Sequence, residues 1–421
     1  MAQKRTVLAE YTVALDVRSQ EVVMKIGIDP ARERLAVSFV ENGKEVDYLV
    51  VSNDQKGHRQ LIKRAREYEK EPRIYIEGYG SFAKRFSLSC RAHNIELYEI
   101  NPYMSNQFRK SLTFDKSDHI DAFSIAKYAE FKDDFCPIEA DGKIEGIKKM
   151  TRECNSVTKS IAALKNKLHV NLQHNYGPVY KKFFSNFATM TSMNFFISFP
   201  SPQKLIEASI KDIHDVLKKH ARMYRKKHGR KKAEEIHDLI KKSYSYDYGY
   251  FTELNTELVV IQLKQLNALL RAKKQLKKTI EMFVEKHFME YKKVLDETFD
   301  SIGIISIGTM VAEIGKISNF KNDGHLASYA GQAPKNHSSG GKRKKQHRKR
   351  SYNRHLARII HITAINNKKK GCAFYEYSQR LEKRFSKTLR AIKSIKRIIC
   401  RKLYNAFKKA EAMQKEEQNA A

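Results

Sequence analysis

The spacing of apolar and polar positions divides the chain into a part that alternates strand with helix and a part that is helical throughout. VVMKIGID (22–29) is a compact apolar run closed by Asp29 and reads as a buried strand. RLAVSFVENGKEVDYLVV (34–51) holds two β-rich runs around Asn42-Gly43, the strongest short hairpin signal. Residues 54–70 read as a helix, RIYIEGYG (73–80) as a fourth strand with Glu77 at its end, 81–94 as a helix, and IELYEINP (95–102) as a fifth strand. A loop is expected next, and then a helix carrying Asp118 and Asp121. The order β-β-β-α-β-α-β-α predicts a mixed sheet with helices on its faces.

From about 140 to 300 no strand pattern occurs. Residues 142–175 are a long helix candidate. The stretch 176–250 is less regular, with a Phe-rich segment, prolines at 200 and 202 and the basic run KKHARMYRKKHGRKK. Residues 252–292 read as one long helix, in which Leu266, Leu269, Lys273, Leu276, Ile280 and Phe283 are spaced 3-4-3-4 with one lysine interruption. This weak coiled-coil character fits packing on the helix's own chain and pairing between subunits equally. Near Ser301, SIGIISIGTMVAEIG predicts a compact helical hairpin. SSGGKRKKQHRKR (338–350) is a Gly-Ser turn running into seven basic residues of nine at 342–350, and the helix expected over 386–409 places Ile392, Ile395, Ile399 and Leu403 on one face. The expected organisation is an extension at 1–21 with no assigned role, an α/β domain at 22–135, a helical, coiled-coil linker and oligomerisation region at 140–298, and a compact, mainly helical C-terminal domain at 299–421.

Composition narrows the partners. The 421 residues include 81 Lys and Arg against 47 Asp and Glu, a formal net charge of +34, which points to a polyanion and first to nucleic acid. No run of about 18 apolar residues exists to span a bilayer. The first 25 residues carry charges throughout, so no secretory leader is expected. The five cysteines, Cys90, Cys136, Cys154, Cys372 and Cys400, are widely spaced without a CxxC pair. A zinc site or disulfide framework is not expected, and a reducing cytoplasm is.

Against that basic background the carboxylates stand out. Asp118 and Asp121 are three apart, neighbours on one helical face, where like charges repel unless a cation lies between them. A divalent metal would supply that charge, and so would a lysine such as Lys116. Asp29 and Glu77 each end an apolar strand. In a sheet of this order strands 1 and 4 can be neighbours, so that all four carboxylates converge on one rim. Such a set can hold two Mg²⁺ ions roughly 4 Å apart, activating a hydroxyl and stabilising the leaving oxygen of a phosphodiester. Hard oxygen ligands favour Mg²⁺ or Mn²⁺ over zinc. Taken singly, each carboxylate also reads as a helix cap or a solvated charge. Asp115, Glu99 and His119 are bystanders, with His119 expected at the surface. An actin-like ATPase is the rival for a first strand ending in aspartate, but the turn Pro30-Ala31-Arg32-Glu33 does not suit a phosphate cradle.

The same residues resemble a known family. GIDPARERLAVSFV around Asp29, YIEGYGSF around Glu77, INP at 100–102 and KSDHIDAFSIA around Asp118 and Asp121, followed by VAEIGKISNF (311–320) and LASYAGQAPKNHSSGGK (326–342), are similar to the DEDD-type insertion-sequence transposases, relatives of the Piv DNA invertase. The resemblance runs from about residue 24 over nearly the whole chain. Departures occur where the family's Gly-x-Gly hairpin is Ser301-Ile302-Gly303, and where Tyr352 and Ala357 replace a glycine and an arginine.

The resemblance implies a RuvC-like, ribonuclease H-fold N-terminal domain whose catalytic metal ligands are Asp29, Glu77, Asp118 and Asp121, and a C-terminal domain in which Ser339 is the nucleophile, with Ser338 as the fallback. It further implies Mg²⁺ (or Mn²⁺), DNA as donor and target, a structured guide RNA from the same element, a homo-oligomer (dimer or tetramer) with a site shared between subunits, and a prokaryotic, nucleoid-associated, cytoplasmic location. Lys342, Arg343, Lys344, Lys345, Arg348, Lys349, Arg350, Arg354 and Arg358 are assigned to nucleic-acid contact, where each phosphate-bound cation adds salt-dependent, sequence-independent affinity. Without the resemblance, Ser339 reads as part of a flexible turn ahead of a basic tail. Three functions are open: a recombinase that cuts and rejoins DNA, a RuvC-like nuclease or junction resolvase that only hydrolyses, and an RNA-binding scaffold with a degenerate site. All four acids are present, against the third, and the domain after residue 300 separates the first two.

Overall fold

The computed structural model describes residues 24–78, 80–132, 135, 137–138, 141–220, 227–243, 249–333, 338–339, 342–343, 352–385 and 388–420. The extension 1–21 and the basic residues 344–350 lie outside these. The chain falls into two compact units divided after Gly142.

In the first unit the strands are β1 (Lys25–Pro30), β2 (Arg34–Glu41), β3 (Lys44–Ser52), β4 (Arg73–Glu77) and β5 (Glu96–Ile100), and the helices are α1 (Gln55–Tyr68), α2 (Ser81–Ala92), α3 (Pro102–Leu112) and α4 (Asp118–Phe131). Asn42 and Gly43, with φ of 53° and 75°, make the left-handed turn that joins β2 to β3, as the Asn-Gly pair predicts. The strands lie in the order β3-β2-β1-β4-β5. β1 to β3 are antiparallel, and β1, β4 and β5 are parallel. This is the mixed sheet that the order of elements predicts.

Alternation along the strands sorts side chains onto two faces. Ile26, Ile28, Ile74 and Ile76 pack with Leu61 and Ala65 of α1 and with Ala83 and Phe86 of α2. Tyr75, Tyr98 and Ile100 pack with Ile125 and Tyr128 of α4. Gly27 lets α4 press onto β1: a Cβ there would stand 2.4 Å from the Ala122 carbonyl oxygen and 2.4 Å from the Ala126 nitrogen. Only a residue without a side chain permits so close a crossing.

The segment expected as a loop after β5 is the helix α3. Asn101 caps it by accepting from the Tyr103 N–H, with Pro102 in its first turn. Its buried positions are the polar Ser105 and Arg109, so it carries no apolar periodicity by which to be recognised.

Among its described residues the second unit is helical apart from one short pair of strands. It opens with α5 (Gly142–Tyr176), followed by α6 (Tyr180–Phe183), α7 (Met190–Ser198), α8 (Pro202–Glu207), α9 (Ile210–His220) and α10 (Lys227–Ser243). Then come α11 (Tyr250–His287), α12 (Met289–Thr298), α13 (Ile304–Ile314), α14 (Asp323–Tyr329), the strands β6 (Ser338–Ser339) and β7 (Lys342–Arg343), and α15 (Arg354–Asn367), α16 (Tyr375–Phe385) and α17 (Thr388–Ala420). One core joins the later part of α5 to Phe183, Phe195, Phe196, Ile236 and the start of α11. A second joins the start of α5 and the end of α11 to α12, α13, α15 and α17, with Ile392, Ile395, Ile399 and Leu403 buried in it as their spacing predicts. The helices of 140–298 thus contribute to both cores.

The heptad-like stripe of α11 packs on its own chain. Leu266 and Ile280 are fully buried, and Leu269, Leu276 and Phe283 lie against these cores. The long helix expected over 252–292 breaks at Phe288, whose φ of −144° and ψ of 36° leave the helical region. The hairpin expected from the glycine-spaced run turns at 299–303, between α12 and α13, with Ser301 at φ 53°. Gly308 makes no turn. It sits within α13, where an added Cβ would meet Ile280 at 3.1 Å, and so serves helix packing.

Candidate acidic and serine sites

β1 and β4 run parallel with Ile28 opposite Ile76, so Asp29 and Glu77 follow side by side at the C-terminal ends of the two strands. Asp29 alternates with Gly27, and Glu77 with Tyr75, which places both on the α4 face. Ser117 caps α4 by accepting from the Ile120 N–H, and Asp118 and Asp121 occupy the first turn. The positive end of the helix dipole favours carboxylates there. The structure thus brings the four acids to one rim.

Their proximity shows in Asp29. Its carboxyl is pushed up to about 6, first by burial and then by the charges of Glu77, Asp121 and Asp118, with Lys116 acting in the opposite sense. A cleft of about 220 Å³ opens beside them, lined by Glu77, Ser105, Asn106, Arg109, Lys116 and Asp121 among others. Glu77 accepts a hydrogen bond from the Ser105 hydroxyl. Arg109 pairs with Asp121 at 3.1 Å and Arg34 with Asp118 at 2.9 Å. Arg109 is buried and Arg34 exposed, so the first pair sits in the lower dielectric and is the stronger. The like charges on the α4 face are therefore answered by two arginines as well as by Lys116. Arg34, Ser105 and Arg109 escaped the reading of the sequence because arginine and serine are common on any basic surface. His119 stands at the surface, 2.7 Å from Glu45, as expected.

All four donors are carboxylates, a set that suits a hard divalent cation, and their mutual repulsion is what such an ion relieves. Among the described residues no three His, Cys, Asp or Glu side chains are grouped closely enough to hold a metal as they stand. Arg34 and Arg109 hold two of the acids instead and would have to yield them.

Ser339 lies in the other compact unit. β6 and β7 pair Ser338 with Arg343 and Ser339 with Lys342. Of the remaining basic candidates, Lys344, Lys345, Arg348, Lys349 and Arg350 lie outside the described residues, while Arg354 is exposed and Arg358 half-buried on α15.

The two ends of the segment that carries Ser339 are tied together. The Asn353 N–H donates to the Tyr329 carbonyl at 2.8 Å, and its Nδ2 donates to Glu313 at 2.8 Å and to the Tyr329 hydroxyl at 2.9 Å. Gly331, at φ 66°, faces the Tyr352 ring, which would lie 2.7 Å from an added Cβ. Arg152 of α5 donates from Nε and Nη2 to the two Glu313 oxygens at 2.7 and 2.9 Å. The one signal of this clamp in the sequence is a glutamate inside the apolar run MVAEI.

Burial pushes the Glu313 carboxyl up, but the hydrogen bonds from Arg152 and Asn353 and the charge of Arg152 outweigh it and hold it below the usual range. A lowered folded-state value means stability that is present at neutral pH and lost as pH falls through that value. Glu313→Gln keeps the shape and removes the charge. It should cost about 2 kcal/mol at pH 7, with the difference from the parent shrinking toward pH 3. Thermal melts at the two pH values check this. An equal deficit at both would assign the loss to packing.

Residues 26–176 match the DEDD transposase family of IS110 elements, and residues 296–379 match the transposase IS116/IS110/IS902 family. The insertion element IS116 uncharacterized 44.8 kDa protein of Streptomyces clavuligerus is 23% identical over 347 residues, 80% of this chain and 83% of that protein. Among solved structures, Thermus thermophilus RuvC is similar at 12% identity over 28% of this chain and 100% of its own, with a TM-score of 0.23. T. thermophilus RuvC in complex with Holliday junction substrate is similar at 14% identity over 28% and 99%, with a TM-score of 0.22. The N-terminal match spans all four acids and the C-terminal match spans Ser339, and the chain belongs to the IS110 family of transposases.

Proposed function

We propose that this transposase cuts and rejoins DNA strands with a cation-binding acidic rim at Asp29, Glu77, Asp118 and Asp121 and with Ser339 as the nucleophile, the two supplied by different subunits of a homo-oligomer, under the direction of a structured RNA. The observation that carries the reading is the convergence of Asp29, Glu77, Asp118 and Asp121 on one sheet edge, with Asp29 raised to about 6 by burial and by the charges of the other three. That arrangement has no purpose in a scaffold, where an uncharged residue at each strand end would cost less. A hydrolytic nuclease shares the acids but has no need of a second transposase-matching region over 296–379, which favours rejoining over simple cutting.

In this reading the four carboxylates hold Mg²⁺ or Mn²⁺, which supplies positive charge against the charge that builds on phosphate oxygens. The rest falls to the chain's own residues. The Ser339 hydroxyl attacks the scissile phosphorus, its proton leaves to solvent or a base, a serine–phosphate ester forms and the bond to the leaving strand oxygen breaks. The terminal hydroxyl of a second strand then attacks the same phosphorus, and Ser339 leaves. The number of phosphoester bonds is conserved, so rejoining requires no ATP. The basic residues around 342–358 hold the DNA backbone. Joining two duplexes in one event calls for at least two copies of the chain, consistent with a homo-oligomer.

The experiment is to purify the protein from cells carrying its element, sequence the bound RNA, and supply that RNA with Mg²⁺ and two DNA duplexes. RNA enriched for the element's flanks, together with joined products, is expected. Random cellular RNA with nicked but unjoined DNA would return the chain to the hydrolytic class.

A further inference from the structure

Beside Phe108, which packs on Tyr128, α3 buries polar side chains and exposes apolar ones. Its buried positions, Ser105 and Arg109 at 3% and 7% exposure, are polar, and both turn to the acidic rim, Ser105 to Glu77 and Arg109 to Asp121. Its surface carries Tyr103, Met104 and Leu112, and the turn that follows carries Phe114, 93% exposed. A lone apolar residue on a surface needs no explanation. Phe114 differs in being held. The Thr113 N–H donates to the Arg109 carbonyl at 2.9 Å, the Asp115 N–H donates to the Thr113 hydroxyl at 3.1 Å, and Arg109 Nη1 donates to the Asp115 carbonyl at 2.5 Å. The buried arginine that pairs with Asp121 therefore also fixes the turn that presents the phenyl ring. Two residues on, Lys116 lines the acidic cleft, and Lys110 is exposed on α3.

We propose that Phe114 is a stacking platform for an unpaired DNA base in the strand that enters the acidic cleft. The inference rests on the reading of this chain as a DNA strand-transfer protein and adds the state of its substrate, locally unpaired at the cleavage point. A phenyl ring has no hydrogen-bonding atom, so it takes any base by its face and reads no sequence. In a closed duplex those faces are covered by neighbouring bases and the ring gains little. Lys110 and Lys116 supply the cations that the flanking phosphates require, and a turn whose backbone is already held loses little freedom on binding.

The chain has no tryptophan, so Phe114→Trp in the full-length protein is a unique fluorophore and keeps a stacking ring. With Asp29→Asn added to prevent cleavage, its fluorescence should be quenched by a duplex containing a short unpaired bubble and not by the fully paired duplex. Phe114→Ala should lose about tenfold in affinity for the bubble and keep its affinity for the paired duplex. Equal binding of both DNAs by parent and Phe114→Ala would overturn the proposal. So would quenching by single-stranded RNA alone, or a loss of self-association by Phe114→Ala in sedimentation, which would make the ring a protein contact. The strand-transfer reading fails separately, if the parent with Asp29 intact neither cleaves nor joins DNA.

Discussion

Asp29→Asn is expected to abolish strand cleavage and, in metal-free buffer at pH 8, to raise the melting temperature. The first effect follows from the proposed ligand role: a cation at the scissile phosphate provides several kcal/mol of transition-state stabilisation, so losing a ligand should cost roughly a thousandfold or more in rate. The second follows from crowding. Burial and the charges of Glu77, Asp121 and Asp118 raise the Asp29 carboxyl from 3.8 to about 6. The folded state therefore binds the proton more tightly than the unfolded chain. The fold is most favoured with Asp29 protonated and loses that advantage as pH rises from about 4 to about 6. Asparagine is neutral throughout, so the variant should gain roughly 1 kcal/mol above pH 6, after allowance for the solvent screening of a half-exposed group, and nothing near pH 4. Glu77→Gln, Asp118→Asn and Asp121→Asn should also abolish cleavage. Cleavage assays with Mg²⁺ and melts across pH check both halves. Normal cleavage by the Asp29→Asn, Glu77→Gln double variant would remove the acidic site from the mechanism, and a lowered melting temperature at pH 8 would mean that the four charges are not held together in the free protein.

Ser339→Ala is expected to abolish strand exchange and the covalent protein–DNA adduct together, while Ser338→Ala retains both. A serine hydroxyl is a weak nucleophile until it is deprotonated or its developing charge is stabilised, and the acidic site with its cation is the proposed source of that stabilisation. In the β6–β7 ladder Ser339 pairs with Lys342 and Ser338 with Arg343. End-labelled DNA on a denaturing gel should show a slow, protease-sensitive band with the parent and with Ser338→Ala, and no such band with Ser339→Ala. Full recombination by Ser339→Ala would leave water as the nucleophile.

The alternation of strand and helix up to residue 131 was legible because each element carries its own periodicity. The five strands, the Asn42-Gly43 turn and the Asp118–Asp121 helix lie where the apolar spacing predicts them. α3 was not legible, because its fully buried positions are Ser105 and Arg109 while Tyr103, Met104 and Leu112 are exposed and only Phe108 packs on the core, a pattern too mixed for an amphipathic helix to be recognised. The break at Phe288 was hidden for a related reason: aromatic and aliphatic residues continue across it at helical spacing, and spacing cannot register a change in backbone angle. The stripe from Leu266 to Phe283 looked the same whether it met its own chain or another. Its partners in the two cores come from α5, α7 and α13, elements that lie apart from it along the chain.

By itself the sequence determined most of the elements, the basic charge and the four candidate acids, since these depend on local propensity and on residue type. The tertiary structure decided what those acids face. Parallel pairing of β1 with β4 set Asp29 beside Glu77. The missing Cβ of Gly27 let α4 come down onto β1 and carry Asp118 and Asp121 to the same rim. Arg109, unremarkable among 81 basic residues, became the buried partner of Asp121 and the anchor of the Phe114 turn. In the second unit, Glu313 met Arg152 from 161 positions away and Asn353 from 40. Charge interactions fall off with distance in space and not along the chain. No local pattern could therefore show which cation answers which acid, and only the packing of helix on sheet assigned them.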